Sequence, residues 1–274
     1  MGEKLTLRDK YLKLKTGVRI LICFEIIIIP TIIFSIILPP SLSKYTQEIM
    51  FIAVPIFMWK VVEGKSLNKM GFTHERKSVG DFIIGLLFGV ASISAVFVIL
   101  LASGNISFAG SIFKPHITIG TLLDIVLFIM VGFAEEIFCR GYCLRSIYEK
   151  NGSLMAVIIS SVIFSALHFG NPNVTPLFFV NVVLIGILFS YMALEINIWL
   201  PIGFHAMWDY FEGNVWGLPN SGNLVRGIYD TKLTGINIIN GGLVGPEGGL
   251  AVTLIILIGF LIVYLIKDNK ELKS

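Results

Sequence analysis

Long apolar runs separated by short polar joints fill the chain. Eight segments approach the ~20 predominantly apolar residues that a helix needs to cross a bilayer. They are roughly Val18–Leu38, Ile49–Val62, Asp81–Ala102, Ile119–Cys143, Leu154–Phe169, Leu177–Leu194, Ile198–Trp216 and Leu250–Ile266. The second is short and the fifth barely adequate, which predicts tilt or incomplete spanning there. The first follows a basic stretch containing Lys4, Arg8, Lys10, Lys13, Lys15 and Arg19, as a secretory signal would. Its apolar run is too long for a signal core and no small-residue cleavage site follows, so it reads as a retained anchor.

Composition narrows the class. Of 274 residues, 55% are hydrophobic and 14% charged, against about 25% charged in soluble domains. Soluble folds, disorder, collagen, disulfide scaffolds and coiled coils are all excluded. The net charge of +3 is too small to suggest nucleic-acid binding. Cys23, Cys139 and Cys143 lie inside apolar runs, so neither a disulfide framework nor a cysteine zinc site is readable. The expected fold is all-α: one polytopic membrane domain over 1–274, with about eight helices and no internal repeat.

Sorting Lys and Arg by side of the membrane tests that count. With the N-terminus inside, 17 fall on the cytoplasmic side and four (Lys44, Lys114, Arg226 and Lys232) outside, as the positive-inside rule requires. Both termini are expected in the cytoplasm. The Gly- and Asn-rich stretch 217–249 then lies outside, with turn signals at Leu218-Pro219-Asn220 and Gly245-Pro246. It is expected to be a mobile cap over a cavity or a loosely ordered loop.

Ionisable groups inside spans cost some 2.5–3.5 kcal/mol each at a helix centre, so they mark function. Here they are Glu25, Asp124, Glu135, Glu136, Arg140, His168, His205 and Asp209. Glu136 and Arg140 stand one helical turn apart in the order that favours an ion pair. Glu135, about 100° round the helix, is left free to act as a general base. A structural Glu–Arg pair with Glu135 reaching an interface is the alternative. A turn near Asn151-Gly152 makes spans four and five a hairpin, in which Glu135 and His168 each stand ~24 Å from the turn at ~1.5 Å per residue. They should meet at one height. His205 and Asp209 are again one turn apart, so that the carboxylate can orient the imidazole or act as a second ligand; a self-satisfied polar pair is the plainer reading. Asp124 is expected at interfacial water, Cys139 and Cys143 in packing, and Glu25 has no assigned role.

Two imidazoles and carboxylates allow two routes. They can bind Zn²⁺, with Glu135, His168 and His205 as ligands and a position left for water. Alternatively a carboxylate and one histidine activate water while the other histidine and its neighbour stabilise the oxyanion. Both end in hydrolysis, most simply of an amide. There is no H-E-x-x-H, since Ser78 stands where the second His would follow His74-Glu75, and no G-x-S-x-G or G-x-G-D motif.

Glu135-Glu136-x-x-x-Arg140, Phe164-x-x-x-His168 and His205-x-x-x-Asp209, in that order on successive spans, resemble the signature of the CPBP family. That family groups type II CAAX prenyl endopeptidases with bacterial bacteriocin-processing and self-immunity proteins. The motifs cover about Val131 to Asp209. The resemblance implies that Glu135 activates the attacking water with His168, that Glu136 and Arg140 organise the site, and that His205 and Asp209 stabilise the oxyanion or bind metal. The last position is often Asn in prenyl endopeptidases. Asp there favours orientation of His205 or metal binding over donation to an oxyanion.

The expected protein is therefore a multi-pass plasma-membrane endopeptidase acting on a membrane-associated peptide or protein, by a zinc or a metal-free route. The rivals are a non-catalytic bacteriocin self-immunity or scaffold protein of the same fold, and a proton-relaying transporter. The transporter would call for inverted repeats, and none is evident.

Overall fold

The computed structural model describes residues 5–73, 76–111 and 113–271; Lys4, His74, Glu75 and Lys273 lie outside them. A short helix, α1 (Leu7–Leu12), is closed by a reciprocal Thr6–Asp9 capping box. Eight long helical rods follow, one for each apolar segment: α2 (Thr16–Ile37), α3 (Pro40–Phe57), α4 (Arg76–Ala102), α5 (Ile119–Glu136), α6 (Arg145–Ala166), α7 (Pro176–Glu195), α8 (Trp199–Asp209) and α9 (Leu250–Glu271). Three continue as wider π-helical turns, α3 over Met58–Val62, α5 over Ile137–Leu144 and α8 over Tyr210–Val215.

Among the described residues, five rods are long and apolar enough to cross a membrane: α2, α3, α4, α7 and α9. The other three carry the polar cluster. α5 holds Asp124, Glu135 and Glu136. α8 is 11 residues long before it widens. α6 is interrupted at Gly152, whose φ of 79° makes the predicted turn between spans four and five. The second span starts earlier than its hydropathy suggests, at Pro40, because Ser41 to Glu48 dilute the apolar signal while Pro40 opens the helix. Large apolar side chains stand exposed round the outside, with Ile36 at 77% and Leu87 at 65%. In water they would form a sticky patch; in a bilayer they meet acyl chains.

The bundle is built round α8, buried continuously from Leu200 to Asp209. It comes so close to α4 because glycines remove the side chains between them. A Cβ on Gly89 would lie 2.3 Å from the Phe204 carbonyl oxygen, one on Gly85 2.3 Å from that of Leu200, and one on Gly203 2.4 Å from that of Phe82. Gly85-x-x-x-Gly89 is thus a small-residue seam of the kind that packs membrane helices. Gly89→Leu is expected to force α4 off α8 at a cost of roughly 1–3 kcal/mol or more. It should lower the melting temperature in detergent, while Leu87→Ala on the lipid face leaves it unchanged.

Each end of the bundle is tied by its own contacts. At one, Glu63 takes Arg19 at 3.0 Å and Lys65 at 2.9 Å, Lys65 reaches Glu149 at 2.6 Å, and Lys267 pairs with Glu195 at 2.7 Å. At the other, Lys44 faces Asp124 at 3.4 Å, and Asn214 donates to Asp124 at 2.9 Å. There β1 (Ile106–Phe108) pairs antiparallel with β2 (Thr231–Leu233).

The cap corrects the expectation of a loose loop. Trp216 stacks on Phe97 and Tyr229, Asn237 and Asn240 donate to Asn105, and Asn181 of α7 donates to the Glu247 and Gly249 carbonyls at 2.7 and 3.0 Å. The Asn and Gly residues that read as flexibility serve as side-chain bonds and tight turns.

Candidate active site

Glu136 is the hub. Fully buried, its Oε1 accepts from Arg140 Nη1 at 2.9 Å and from His205 Nδ1 at 3.0 Å. Arg140, also fully buried, donates through Nη2 to the Gly186 carbonyl at 3.1 Å and lies over the Phe164 ring at 4.2 Å. The wider turn after Glu136 carries Arg140, the kind of local departure from α-helix found at functional sites. The expected Glu136–Arg140 pair is present, and it does more than neutralise charge: it links α5 to the imidazole on α8.

With Nδ1 donating to Glu136, His205 turns Nε2 towards Asp209 Oδ2 at 3.5 Å and Glu135 Oε2 at 3.9 Å. Holding one ring nitrogen fixes the tautomer and aims the other. The task of orienting His205 thus falls to Glu136, and Asp209 sits at the working edge. His168, in the turn that closes α6, donates Nδ1–H to the Phe164 carbonyl at 2.9 Å, which leaves Nε2 with its lone pair. Glu135 Oε2 is buried and without a hydrogen-bond partner.

Glu135, His168, His205 and Asp209 all line one cavity of about 280 Å³. Glu136 and Arg140 stand behind its wall. Asp124 is outside it, tied to Lys44 and Asn214, and Glu25 is exposed on α2. The three cysteines are buried and free.

Sequence reading missed Glu48, buried on α3, and the cap residues Asn220, Ser221 and Glu247, which line the same cavity. Glu48 had a signal: it shares a helical face with Phe51 and Pro55, three and seven residues on. Glu247, between Pro246 and Gly248, had none. Its carboxylate accepts from Ser221 N at 2.6 Å and Ser221 Oγ at 2.9 Å.

Burial beneath the cap, with Asp209 facing it, pushes the Glu247 carboxyl from an ordinary 4.5 up to about 8, against the Ser221 bonds and His205. A raised folded-state value favours the protonated form. The stability it contributes is therefore full below 4.5 and lost as pH climbs towards 8. Glu247→Gln should flatten the fall in melting temperature between pH 5 and 8.5.

The residues expected to hold zinc have suitable donors, two imidazoles with pinned Nδ1 atoms and a carboxylate. Among the described residues, the trio whose ligand atoms all lie within 4.8 Å of one another is Asp209, Glu212 and Glu247. Three carboxylates suit a hard cation or shared protons, not a zinc hydrolase centre.

A helical membrane bundle with an arginine-backed Glu–His pair, a second histidine and a free carboxylate on one internal cavity has the outline of an intramembrane hydrolase. Residues 117–211 match the family model described as Type II CAAX prenyl endopeptidase Rce1-like. All six predicted site residues fall within that stretch, about a third of the 274-residue chain. That stretch is similar to a CAAX prenyl endopeptidase family. No curated protein and no solved structure matches the chain.

Proposed function

We propose that the chain is an endopeptidase of the plasma membrane that cleaves a membrane-associated peptide or protein with a water activated by Glu135 and His168. The observation that carries this reading is the convergence of Glu135, His168, His205 and Asp209 on one cavity.

Glu135 takes a proton from a water also held by His168 Nε2, and the water oxygen bonds to the scissile carbonyl carbon. Negative charge moves to the carbonyl oxygen. His205 meets it through a proton on Nε2, its positive charge supported at Nδ1 by Glu136. As the C–N bond breaks, Glu135 returns its proton to the departing amine. Asp209, 3.5 Å from Nε2, keeps the His205 edge in place.

The test compares peptide termini in cells making the wild-type chain or Glu135→Gln at matched abundance. New termini that vanish in the variant are expected. Identical termini in both, with any cellular phenotype intact, would overturn the protease reading in favour of a non-catalytic immunity or scaffold protein.

A further inference from the structure

We infer that Glu48, which lies outside the stretch matched by the family model, is a substrate-binding residue: its carboxyl accepts a main-chain N–H of the peptide held against Glu135 and His168. This rests on the peptidase reading of the site. Glu48 sits within the apolar helix Pro40–Val62, where an ionisable side chain is costly and marks function by default. It is 6% exposed, and no cation compensates it. Lys44, one turn before it, is committed to Asp124, and Glu48 makes no ion pair among the described residues.

Nor does this carboxyl hold the fold together. Among the described residues its hydrogen bond comes from the adjacent Gln47, Nε2 to Oε1 at 3.2 Å, which joins no two elements. Other deeply buried acids do tie elements: Glu136 joins α5 to α8, and Glu63 takes Arg19 of α2. An acid with no such duty keeps its accepting capacity for whatever enters the cavity.

The other polar groups of the lining are engaged. Asn181 donates to the Glu247 and Gly249 carbonyls and accepts from Thr253. Asn220 donates to the Asp209 carbonyl and to Glu212, and Ser221 donates to Glu247. Glu48 is a buried acceptor left over, on the α3 wall of the same cavity, and its carboxyl interacts electrostatically with Glu135, His205 and Asp209. Ligand pockets usually span ~300–1,000 Å³, so a cavity of about 280 Å³ is narrow. A peptide seated between Glu135 and His168 therefore reaches the α3 wall as well. Whatever its side chains, it presents main-chain N–H groups there, and a carboxyl oxygen accepts from them whether or not the acid carries a proton. Glu48 thus secures the backbone of the substrate rather than its sequence.

The probe is a quenched fluorescent peptide spanning one Glu135-dependent cut, offered to the purified full chain in detergent. Glu48→Leu is expected to melt like the wild type and to raise KM about tenfold, the weight of one hydrogen bond, with kcat little changed. Glu48→Gln, which keeps an oxygen acceptor, should recover most of that loss. The same peptide is then N-methylated at one amide at a time. One methylated position should raise KM in the wild type and add nothing further in Glu48→Leu. A wild-type KM in Glu48→Leu, a loss confined to kcat, a lowered melting temperature, or methylation penalties that add at every position would each overturn the assignment. Cuts that depend on Glu135 but not on Glu48 defeat this inference alone. If no cut depends on Glu135, the peptidase reading fails and takes the inference with it.

Discussion

Arg140→Ala is expected to leave little folded protein. Its guanidinium is fully buried and serves Glu136, the Gly186 carbonyl and the Phe164 ring together. Removing it strands the buried Glu136 carboxylate, and breaking a buried pair from one side costs about 3–5 kcal/mol. Typical domain stabilities are only about 5–15 kcal/mol, so the loss should appear as low yield and a much lower melting temperature in detergent. Arg140→Lys should not rescue it, because an ammonium lacks the planar fork that reaches Glu136 and Gly186 at once. The neutral double variant Glu136→Gln with Arg140→Met should restore the folded yield. Its activity should stay low, since an amide beside Nδ1 gives no charge to support a protonated His205. An Arg140→Ala protein that melts like the wild type would contradict this role.

Glu135→Gln should do the opposite. The side chain is 24% exposed, and its buried Oε2 has no hydrogen-bond partner. An amide of the same shape leaves the fold and melting temperature unchanged, but it cannot take a proton from water. Activity should fall roughly 10²–10⁴-fold, the usual share of a general base. Two adjacent glutamates are then expected to have separate duties, because the helix turns one towards Arg140 and the other into the cavity. A purified Glu135→Gln protein with wild-type turnover, or one that fails to fold, would break that separation.

Much of this was legible in the residues. The eight rods follow the hydropathy, and the turn at Gly152 brings Glu135 and His168 to one cavity as the residue count from Asn151-Gly152 implies. The four-residue spacings foretold the Glu136–Arg140 contact and the approach of Asp209 to His205. Contacts between distant helices were out of reach: spacing within α8 suggested Asp209 as the partner that orients His205, whereas Glu136 arrives from α5. Glu48 was hidden because a hydropathy window averages a buried acid with its polar neighbours. That 217–249 caps a cavity is one of the two readings the sequence allows, but its order is not legible there, because Asn and Gly carry the same local signal in a disordered loop and in one tied by side-chain bonds. Gly85-x-x-x-Gly89 was readable, and it explains why α8, the most buried helix, needs no long apolar run.

Hydrolysis at Glu135 is tested most directly by the origin of the oxygen in the product. Membranes carrying the wild-type chain or Glu135→Gln are incubated in ¹⁸O-enriched water, and the carboxyl termini generated at each cut are read by mass. The expected result is one ¹⁸O in each new carboxylate with the wild-type chain and no such termini with Glu135→Gln. Labelled termini of equal abundance in both samples would contradict a Glu135-activated water.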